Sequence, residues 1–435
     1  MPIKKLQVIY NGWGERWPLG VLAENAVSTG QGILFEYSPQ AAERALELSP
    51  MHHALPRAGA VPKAFQGASH AYGLPGFIAD SLPDGWGMLL MDRALRKLGR
   101  DPRSVSVLER LAIVGERAMG AFSFEPSEED VLPAERLELR ALAQQVVALQ
   151  TDHNAGTDKA DTQLRHLMQL GGSPQGARPK VLVDFNARTG QISSGMPLAG
   201  SATPWLMKFP AESEHREVCA VEELYARMAR TGEIDMPKSR VFDLGAKHSA
   251  FGVERFDRVV IAQGKERSVI RVPIMSMAAY LQADHRLPSL DYETVLLATL
   301  QITGDQREVL KAFDRCLFNV LMHNRDDHAK NFAFRLNEQG LWKLSPAFDL
   351  TYSFGPGGEH STSVAGHGKN ITREHLLRVA TKAGIAPKKA NEQIDHWCVK
   401  LKSLARHADG LNIRRNTLTE LQKSLQDRLQ LITSN

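Results

Sequence analysis

The first half of the chain is built from short apolar runs separated by turn residues. LQVIY and ILFEY lie near the N-terminus with Gly-containing turns between them. VLVDF and PWLMKFP follow a Gly-rich loop farther along, and SAFGVERFDRVVI continues the pattern. Bounded runs of this length with alternating apolar positions are typical of strands. The sequence therefore predicts that much of the β-structure lies in this half.

Helical spacing replaces this alternation in the second half. Val218, Val221, Tyr225 and Met228 recur at i, i+3, i+7 and i+10, and Gly232 ends the pattern. Further helices are predicted over 308–322, over 372–383 with Thr372 as N-cap and Gly384 as the stop, and over much of 390–430. Strands followed by helices predict an α+β fold, with a β-containing part before an α-rich part.

Changes in composition divide the chain into three predicted domains. Residues 1–125 form an N-terminal domain of strands, turns and one helical stretch. Residues 126–255 carry the Gly-rich loop, after an acidic and then polar segment (126–160) that is typical of a connector. Residues 256–435 are predicted to be a helical lobe.

Composition excludes several classes of protein. Of the 435 residues, 43% are hydrophobic and 23% charged, which is the balance of a folded chain. The net charge of +4 is spread without a run of five basic residues, so no large nucleic-acid surface is expected. No signal peptide or long apolar run is recognisable, so we expect no membrane span and a cytoplasmic location. Cys219, Cys316 and Cys398 are too far apart to predict a disulfide framework or zinc site, and we expect them to be buried.

The strongest chemical signal is HNRDDHAKNF, residues 323–332. An apolar helical stripe ends there, and most of the following side chains are polar or charged. Asp326 and Asn331 are separated as D-x4-N, the spacing at which protein kinases place a carboxylate that orients the attacking hydroxyl and an amide that holds Mg²⁺. A solvated loop is the alternative, because the spacing is common by chance. Asp327 is a second candidate for the base, although the D-x4-N register favours Asp326.

Two strand-like runs after this loop predict a β-hairpin. Residues 332–336 and 341–345 flank a four-residue turn that contains Gly. A hairpin returns Asn331 and Asp349 to the same end, where an amide oxygen and a carboxylate can share a hard cation such as Mg²⁺. Asp349 has apolar neighbours on both sides, which is unusual for a solvated charge. A structural Asp that caps a turn is the alternative.

Three upstream features suit the binding of a nucleoside triphosphate. Lys208 lies among apolar residues in a strand pattern and could reach phosphates, although such lysines are usually edge residues. Glu222, beside the apolar face of the following helix, is the candidate partner of this lysine, and a charge at the rim of the helix is the alternative. The loop 171–180, GGSPQGARPK, has glycines that let backbone N–H groups approach phosphates, with Arg178 or Lys180 adding charge. A flexible linker is the alternative for this loop.

The order of these features is that of a kinase-like phosphotransferase: Gly-rich loop, strand Lys, helix Glu, D-x4-N and hairpin Asp. At these residues the chain resembles the HipA family of bacterial toxin kinases, over almost its whole length. The motifs that carry the resemblance are LPDGWG (82–87), VGERAMGAFSF (114–124), GARPK (176–180), WLMKFP (205–210), VERFDR (253–258), NRDDHAKNF (324–332) and PAFDL (346–350).

The resemblance implies a serine/threonine protein kinase that uses ATP and Mg²⁺. The implied fold is a divergent protein-kinase-like α+β fold with a β-containing N-terminal half, an all-α C-terminal lobe and an ATP cleft between them. Asp326 would be the catalytic aspartate, and Asn331 and Asp349 the metal ligands. The residues implied to bind ATP are Gln175, Gly176, Ala177, Arg178, Pro179, Lys180, Lys208, Glu254, Arg255, Phe256, His328, Lys330, Asn331, Phe348 and Asp349. Ser173 falls at the position of an inhibitory autophosphorylation serine, although Pro174 and Gln175 depart from the family's pattern.

The resemblance also implies that the chain is the toxin of a type II toxin–antitoxin pair. Its target would be a translation component, with an aminoacyl-tRNA synthetase expected, and its phosphorylation would arrest growth. Its partner would be a small helix-turn-helix antitoxin, HipB-like, that binds operator DNA. Two alternatives are a small-molecule phosphotransferase and an inactive co-repressor that binds antitoxin. The complete set of Lys208, Asp326, Asn331 and Asp349 argues against an inactive protein.

Overall fold

The chain forms two compact units. The computed structural model describes residues 3–25, 32–57, 59, 63–128, 135–151, 158–195, 200–263 and 266–433. Unit 1 contains Met1–Arg216 and Arg240–Met275, and unit 2 contains Glu217–Ser239 and Ser276–Asn435. The three domains predicted at 1–125, 126–255 and 256–435 do not coincide with these units and stay a prediction.

The described residues of unit 1 form two larger sheets, one hairpin and six α-helices. The first sheet has the order β3-β2-β1-β4 and consists of β1 (Lys5–Tyr10), β2 (Trp17–Asn25), β3 (Gly32–Tyr37) and β4 (Phe122–Glu125). The second has the order β5-β7-β6-β8-β10-β9 and consists of β5 (Glu135–Leu137), β6 (Lys180–Asn186), β7 (Ile192–Ser194), β8 (Ala202–Lys208), β9 (Ser239–Asp243) and β10 (Ser249–Glu254). The hairpin pairs β11 (Arg258–Gln263) with β12 (Glu266–Arg271). The helices are α1 (Pro39–Arg44), α2 (Gly76–Ala79), α3 (Gly85–Lys97), α4 (Val107–Val114), α5 (Leu139–Thr151) and α6 (Asp158–Gly171).

An aromatic core stabilises the first sheet. Phe35 is fully buried, and its ring centroid lies 5.0 Å from that of Tyr37 and 5.9 Å from that of Phe77. Aromatic pairs at these separations add to the stabilisation that burial of the rings provides. Helix α4 begins with a capping box, in which Ser106 and Glu109 each bond the other's backbone N–H.

Unit 2 is mainly helical. Its helices are α7 (Val218–Thr231), α8 (Met277–Leu281), α9 (Tyr292–Thr303), α10 (Gln306–Leu321), α11 (Arg373–Lys382), α12 (Pro387–Lys400), α13 (Leu404–His407) and α14 (Arg415–Thr433). Strand β13 (Ile274–Ser276) lies at the boundary between the units. The remaining strands are β14 (Leu290–Asp291), β15 (Ala333–Leu336), β16 (Trp342–Leu344) and β17 (Thr362–Ser363).

The core of unit 2 forms around the indole of Trp397. Its ring centroid lies 5.6 Å from that of Phe318 in α10, and its Nε1 donates to Asp314 at 2.9 Å. Gly232, which follows α7, packs so closely on this indole that an added Cβ would overlap the ring. Gly232 has φ of −88°, which other residues also adopt, so the reason for a glycine at the end of α7 is this packing.

The predicted α+β class is confirmed, with one correction. Helices α7, α10 and α11 lie within two residues of their predicted bounds, and the hairpin after Asn331 is present as β15 and β16. The segment 256–435 is not all helical, because it contains β11 and β12 and the short strands of unit 2. The three cysteines are buried, as predicted. None of the described helices combines the length and apolar character that a membrane crossing requires.

Candidate active site

Two lysines share one face of the second sheet of unit 1. Strands β6 and β8 are antiparallel, and Lys180 lies directly opposite Lys208. Side chains that face each other in this way emerge on the same side of a sheet. Both lysines are buried, and the Nζ of Lys208 lies 5.8 Å from the ring centroid of Phe251 on β10. Buried ammonium groups on one face of a sheet favour an anionic ligand there.

The predicted nucleotide loop, residues 171–180, closes on the first of these lysines. The Nζ of Lys180 donates to the carbonyl of Gln175, and the Pro179 carbonyl accepts from the Phe209 N–H at 2.9 Å. The guanidinium of Arg178 instead donates to Glu214, at 3.0 and 2.7 Å. Ser173 is buried, so its hydroxyl is not accessible in this loop conformation.

The predicted adenine segment, Glu254–Phe256, begins at the last residue of β10 and is fixed by a buried charge network. Arg255 donates to the buried carboxylate of Asp257 at 2.9 and 2.8 Å, and Arg258 donates to it at 2.8 Å. The N–H of Gly120 also donates to Asp257, at 2.9 Å. Burial alone would raise the pKa of Asp257, but Arg255 and Arg258 hold it well below its usual range.

The same network ties this segment to the motif at 114–124. Arg258 donates to the carbonyls of Ala118 and Gly120. Arg271 donates to both of these carbonyls and to that of Phe122. Two motifs that are more than 130 residues apart therefore form one buried polar cluster in unit 1.

In unit 2, the predicted catalytic loop begins where α10 ends. The hydroxyl of Tyr225 on α7 donates to the carbonyl of Met322, the residue after α10. The next residue, His323, has φ of 56°, and Asn324 then pairs with Ser353 in an isolated parallel bridge. Burial, together with Arg325, lowers the pKa of His323 to about 3, so this imidazole is neutral at pH 7.

The two neighbouring aspartates of this loop have opposite environments. The side chain of Asp326 is 56% exposed, and the Asn331 amide donates to its backbone carbonyl at 2.6 Å. Asp327 is 1% exposed and accepts from Tyr292 and His360, each at 2.8 Å. Asp327 is thus committed to structure, which leaves Asp326 as the accessible carboxylate.

The buried aspartate belongs to a longer polar network. The Thr362 N–H donates to Asp327 at 3.2 Å, and Asn319 donates to the Tyr292 hydroxyl at 2.9 Å. Asn324 in turn donates to Asn319 at 2.9 Å. Burial, with the neighbouring Asp327, raises the pKa of Tyr292 well above its usual range, so its hydroxyl remains a donor.

The predicted metal ligands follow the open end of the hairpin. Asn331 precedes β15, and Asp349 follows β16. The Ser345 N–H donates to the Ala333 carbonyl at 2.9 Å, which extends the pairing of the two strands to this end. The chain therefore enters the hairpin from Asn331 and leaves it towards Asp349 at the same end. Asp349 has φ of 53°, a conformation that is uncommon outside Gly and is often found at functional sites. Both side chains offer the hard oxygens that Mg²⁺ prefers. Among the described residues, no cluster of three or more His, Cys, Asp or Glu could hold a metal.

The remaining predicted residues are placed as follows. His328 lies with its Nε2 3.8 Å from the Asp326 carboxylate, and its Nδ1 accepts from the Lys330 N–H at 3.2 Å. Glu222 is buried on α7 of unit 2, whereas Lys208 belongs to unit 1, so their ion pair stays a prediction. The neighbouring Glu223 accepts from Arg230 and from Ser239. The roles of Asp327 and Tyr292 were missed because their partners are distant in sequence. The role of Asp257 was missed because local sequence does not show that Arg255 and Arg258 turn towards it in the interior.

Comparison with known proteins identifies the family. The family model described as the HipA-like C-terminal domain matches residues 172–405, and that of the HipA N-terminal domain matches residues 7–125. This chain belongs to the HipA family. HipA of Shewanella oneidensis MR-1, solved with HipB and its operator DNA, superposes with a TM-score of 0.70 over 98% of this chain and 97% of that one, at 16% identity. The two chains therefore share a fold.

Two further proteins are similar over part of the HipA-family chain. The Sinorhizobium fredii protein called "Putative kinase Y4dM" is 24% identical over 337 residues, which is 72% of each chain. The Helicobacter pylori proinflammatory kinase CtkA aligns with 54% of this chain and 90% of its own, at 12% identity and a TM-score of 0.37. That score is too low to compare the two folds.

Proposed function

We propose that this HipA-family chain is an ATP- and Mg²⁺-dependent serine/threonine protein kinase, the toxin of a type II toxin–antitoxin pair. The observation that carries the proposal is that the adjacent Asp326 and Asp327 have different environments. Asp326 has an accessible carboxylate, whereas Asp327 is buried and anchors the loop through its bonds to Tyr292 and His360. A kinase needs both an oriented carboxylate and a rigid support for it.

In this proposal Asp326 orients a substrate hydroxyl and accepts its proton as the γ-phosphate is transferred. The amide of Asn331 donates to the Asp326 backbone, which fixes the position of the carboxylate. The Nε2 of His328 lies 3.8 Å from the Asp326 carboxylate, which places a polar group beside the reacting oxygen. Such a site works by positioning and electrostatics rather than by covalent chemistry.

Lys180 and Lys208 would bind the phosphates of ATP, since both ammonium groups emerge on one face of the sheet. Glu222 would pair with Lys208, and Glu254–Phe256 would meet the adenine. Asn331 and Asp349 would hold Mg²⁺, with Phe348, His328 and Lys330 beside the nucleotide. The ion would neutralise charge that develops on the transferred phosphoryl group. An amide and a carboxylate fit it, because Mg²⁺ sites in kinases are completed by phosphate and water.

We further propose a helix-turn-helix antitoxin, HipB-like, as the partner, with operator DNA bound through it. The support is membership of the HipA family and the fold shared with a HipA that was solved with HipB and operator DNA. The proposed substrate is an aminoacyl-tRNA synthetase, and the proposed site of autophosphorylation is Ser173. Because Ser173 is buried, its modification would require the loop to leave its present position.

Transfer of label from γ-labelled ATP into proteins of a lysate tests the proposal. The parent chain should label a protein band, and Asp326→Asn should lower transfer by about 10³-fold or more while ATP still binds. Glu338→Gln, which changes an exposed acid in the turn of the β15–β16 hairpin, is the matched control and should retain activity.

Three results would contradict the proposal. Label in a metabolite would point to a small-molecule phosphotransferase. No binding of ATP with Mg²⁺ by the parent chain would point to an inactive co-repressor. Activity of Asp326→Asn equal to that of Glu338→Gln would remove Asp326 from the mechanism.

A further inference from the structure

The motif at 82–87 contacts the predicted nucleotide loop, although its sequence suggested no chemistry. The Trp86 N–H donates to the Gly176 carbonyl at 3.0 Å, and the Gly176 N–H donates to the carboxylate of Asp84. The side-chain amide of Gln175 donates to the carbonyls of Asp80 and Leu82, both at 3.0 Å. These bonds join segments about 90 residues apart within unit 1.

Asp84 occupies a position where its carboxylate would ordinarily serve its own helix. It is the N-cap residue of α3, and a capping Asp usually accepts from the N–H two or three residues later. Here the side chain makes no capping bond, and it accepts from Gly176 instead. The Asp84 carboxylate therefore stabilises a distant loop instead of the first turn of α3.

Two glycines of the motif allow the backbones to approach. A Cβ on Gly85 would lie 2.6 Å from the Gly176 carbonyl oxygen and 2.8 Å from the Ala177 Cα. A Cβ on Gly87 would lie 2.9 Å from the Pro174 carbonyl oxygen. The atoms that obstruct position 85 are backbone, so they cannot rotate away as a flexible side chain could. Any larger residue at 85 must therefore displace the loop.

We propose that Asp84 is a positioning residue, which holds loop 171–180 in the shape that orients the ammonium group of Lys180, whose backbone lies opposite Lys208 in the pairing of β6 with β8. The link is direct, because the Lys180 ammonium donates to the carbonyl of Gln175, next to the Gly176 that Asp84 holds. The Gly176 N–H is committed to Asp84, so it supports the loop and is not a phosphate donor. Only the identification of ATP as the ligand of this loop rests on the proposed kinase function.

Hydrogen exchange in the full chain without nucleotide tests the contact. Asp84→Ala should speed exchange of the Gly176 amide about tenfold or more, which is the size expected for a lost hydrogen bond to a charged group. Asp84→Asn keeps an acceptor oxygen and should restore part of the protection. Asp92→Ala removes another carboxylate of α3, one that pairs with Arg110, and should leave the loop unchanged. Equal exchange at Gly176 in Asp84→Ala and Asp92→Ala would overturn the proposal.

Nucleotide binding then tests the positioning role. Asp84→Ala and Gly85→Ala should each weaken ATP binding about tenfold and raise KM for ATP more than they lower kcat. Asp84→Asn should recover part of that loss. A variant whose loop exchanges faster but which binds ATP as tightly as the parent would overturn the role. Failure of the parent chain to bind ATP would refute the kinase proposal alone, because the exchange measurement uses no nucleotide.

Discussion

Replacement of Asp257 by Asn tests the buried network that fixes the Glu254–Phe256 segment. The Asp257 carboxylate is 1% exposed and compensates Arg255 and Arg258, each with a side chain 9% exposed. Burial also lowers the pKa of the nearby Arg271, to about 10. Removing the carboxylate leaves buried guanidinium groups without their counter-charge, and breaking a buried pair in this way costs about 3–5 kcal/mol.

We therefore expect Asp257→Asn to lower the melting temperature of unit 1 by roughly 6–20 °C, at 2–4 °C per kcal/mol for units of this size. Differential scanning calorimetry of the full chain measures this shift. The matched control is Asp161→Asn, which breaks the half-exposed pair of Asp161 with Lys97 and should shift the transition by far less. Equal shifts in the two variants would refute the reasoning.

The same variant has a predicted pH dependence. The folded pKa of Asp257 lies below its unfolded value of about 3.9, so its stabilisation is complete above that pH. The stabilisation is lost as the pH falls from there towards the folded pKa. The difference in stability between the parent chain and Asp257→Asn should therefore shrink below about pH 4. A difference that is constant down to pH 3 would contradict an ionic origin.

Two further predictions concern unit 2. Asp349→Gly should abolish phosphoryl transfer without lowering the melting temperature, because Gly tolerates φ of 53°. Asp349→Ala should abolish transfer and also lower the melting temperature. Phosphoryl transfer by either variant would exclude Asp349 as a metal ligand. Asp327→Asn should lower kcat through displacement of Asp326 and destabilise unit 2 by roughly 1–3 kcal/mol, since an amide whose oxygen accepts from Tyr292 and His360 turns its NH2 group towards the Thr362 N–H, which then loses its acceptor. Normal kcat in a folded Asp327→Asn variant would show that the hydrogen bonds of Asp327 are not needed for activity.

The parts of the fold that follow from local pattern could be predicted from the sequence. Helix α7 was predicted because its apolar residues recur at helical spacing, and β15 and β16 because a Gly-containing turn separates two apolar runs. SAFGVERFDRVVI was interpreted as one strand candidate, but it forms β10 and β11 with a turn between them. The interruption follows from Asp257, which turns inward to its arginines.

The contacts that support the candidate site could not be predicted in the same way. The bond between Asp84 and Gly176 is one of them, since nothing near Asp84 in sequence indicates it. The division between Asp326 and Asp327 depends on Tyr292 and His360, which approach from other elements. Spacing favoured Asp326 as the base, which stays a prediction, but only tertiary structure reveals which of the two carboxylates is buried.

Helix α7 has a consequence for synthesis of the chain. It belongs to unit 2, yet it precedes the last part of unit 1, which is complete at Met275. Its neighbour Trp397 leaves the ribosome long after Gly232, and at about 5–20 residues per second the interval is on the order of 10–30 s. During that time the nascent polypeptide carries a helix that still lacks the indole on which Gly232 packs. Such a segment is a natural target for chaperones that bind growing chains.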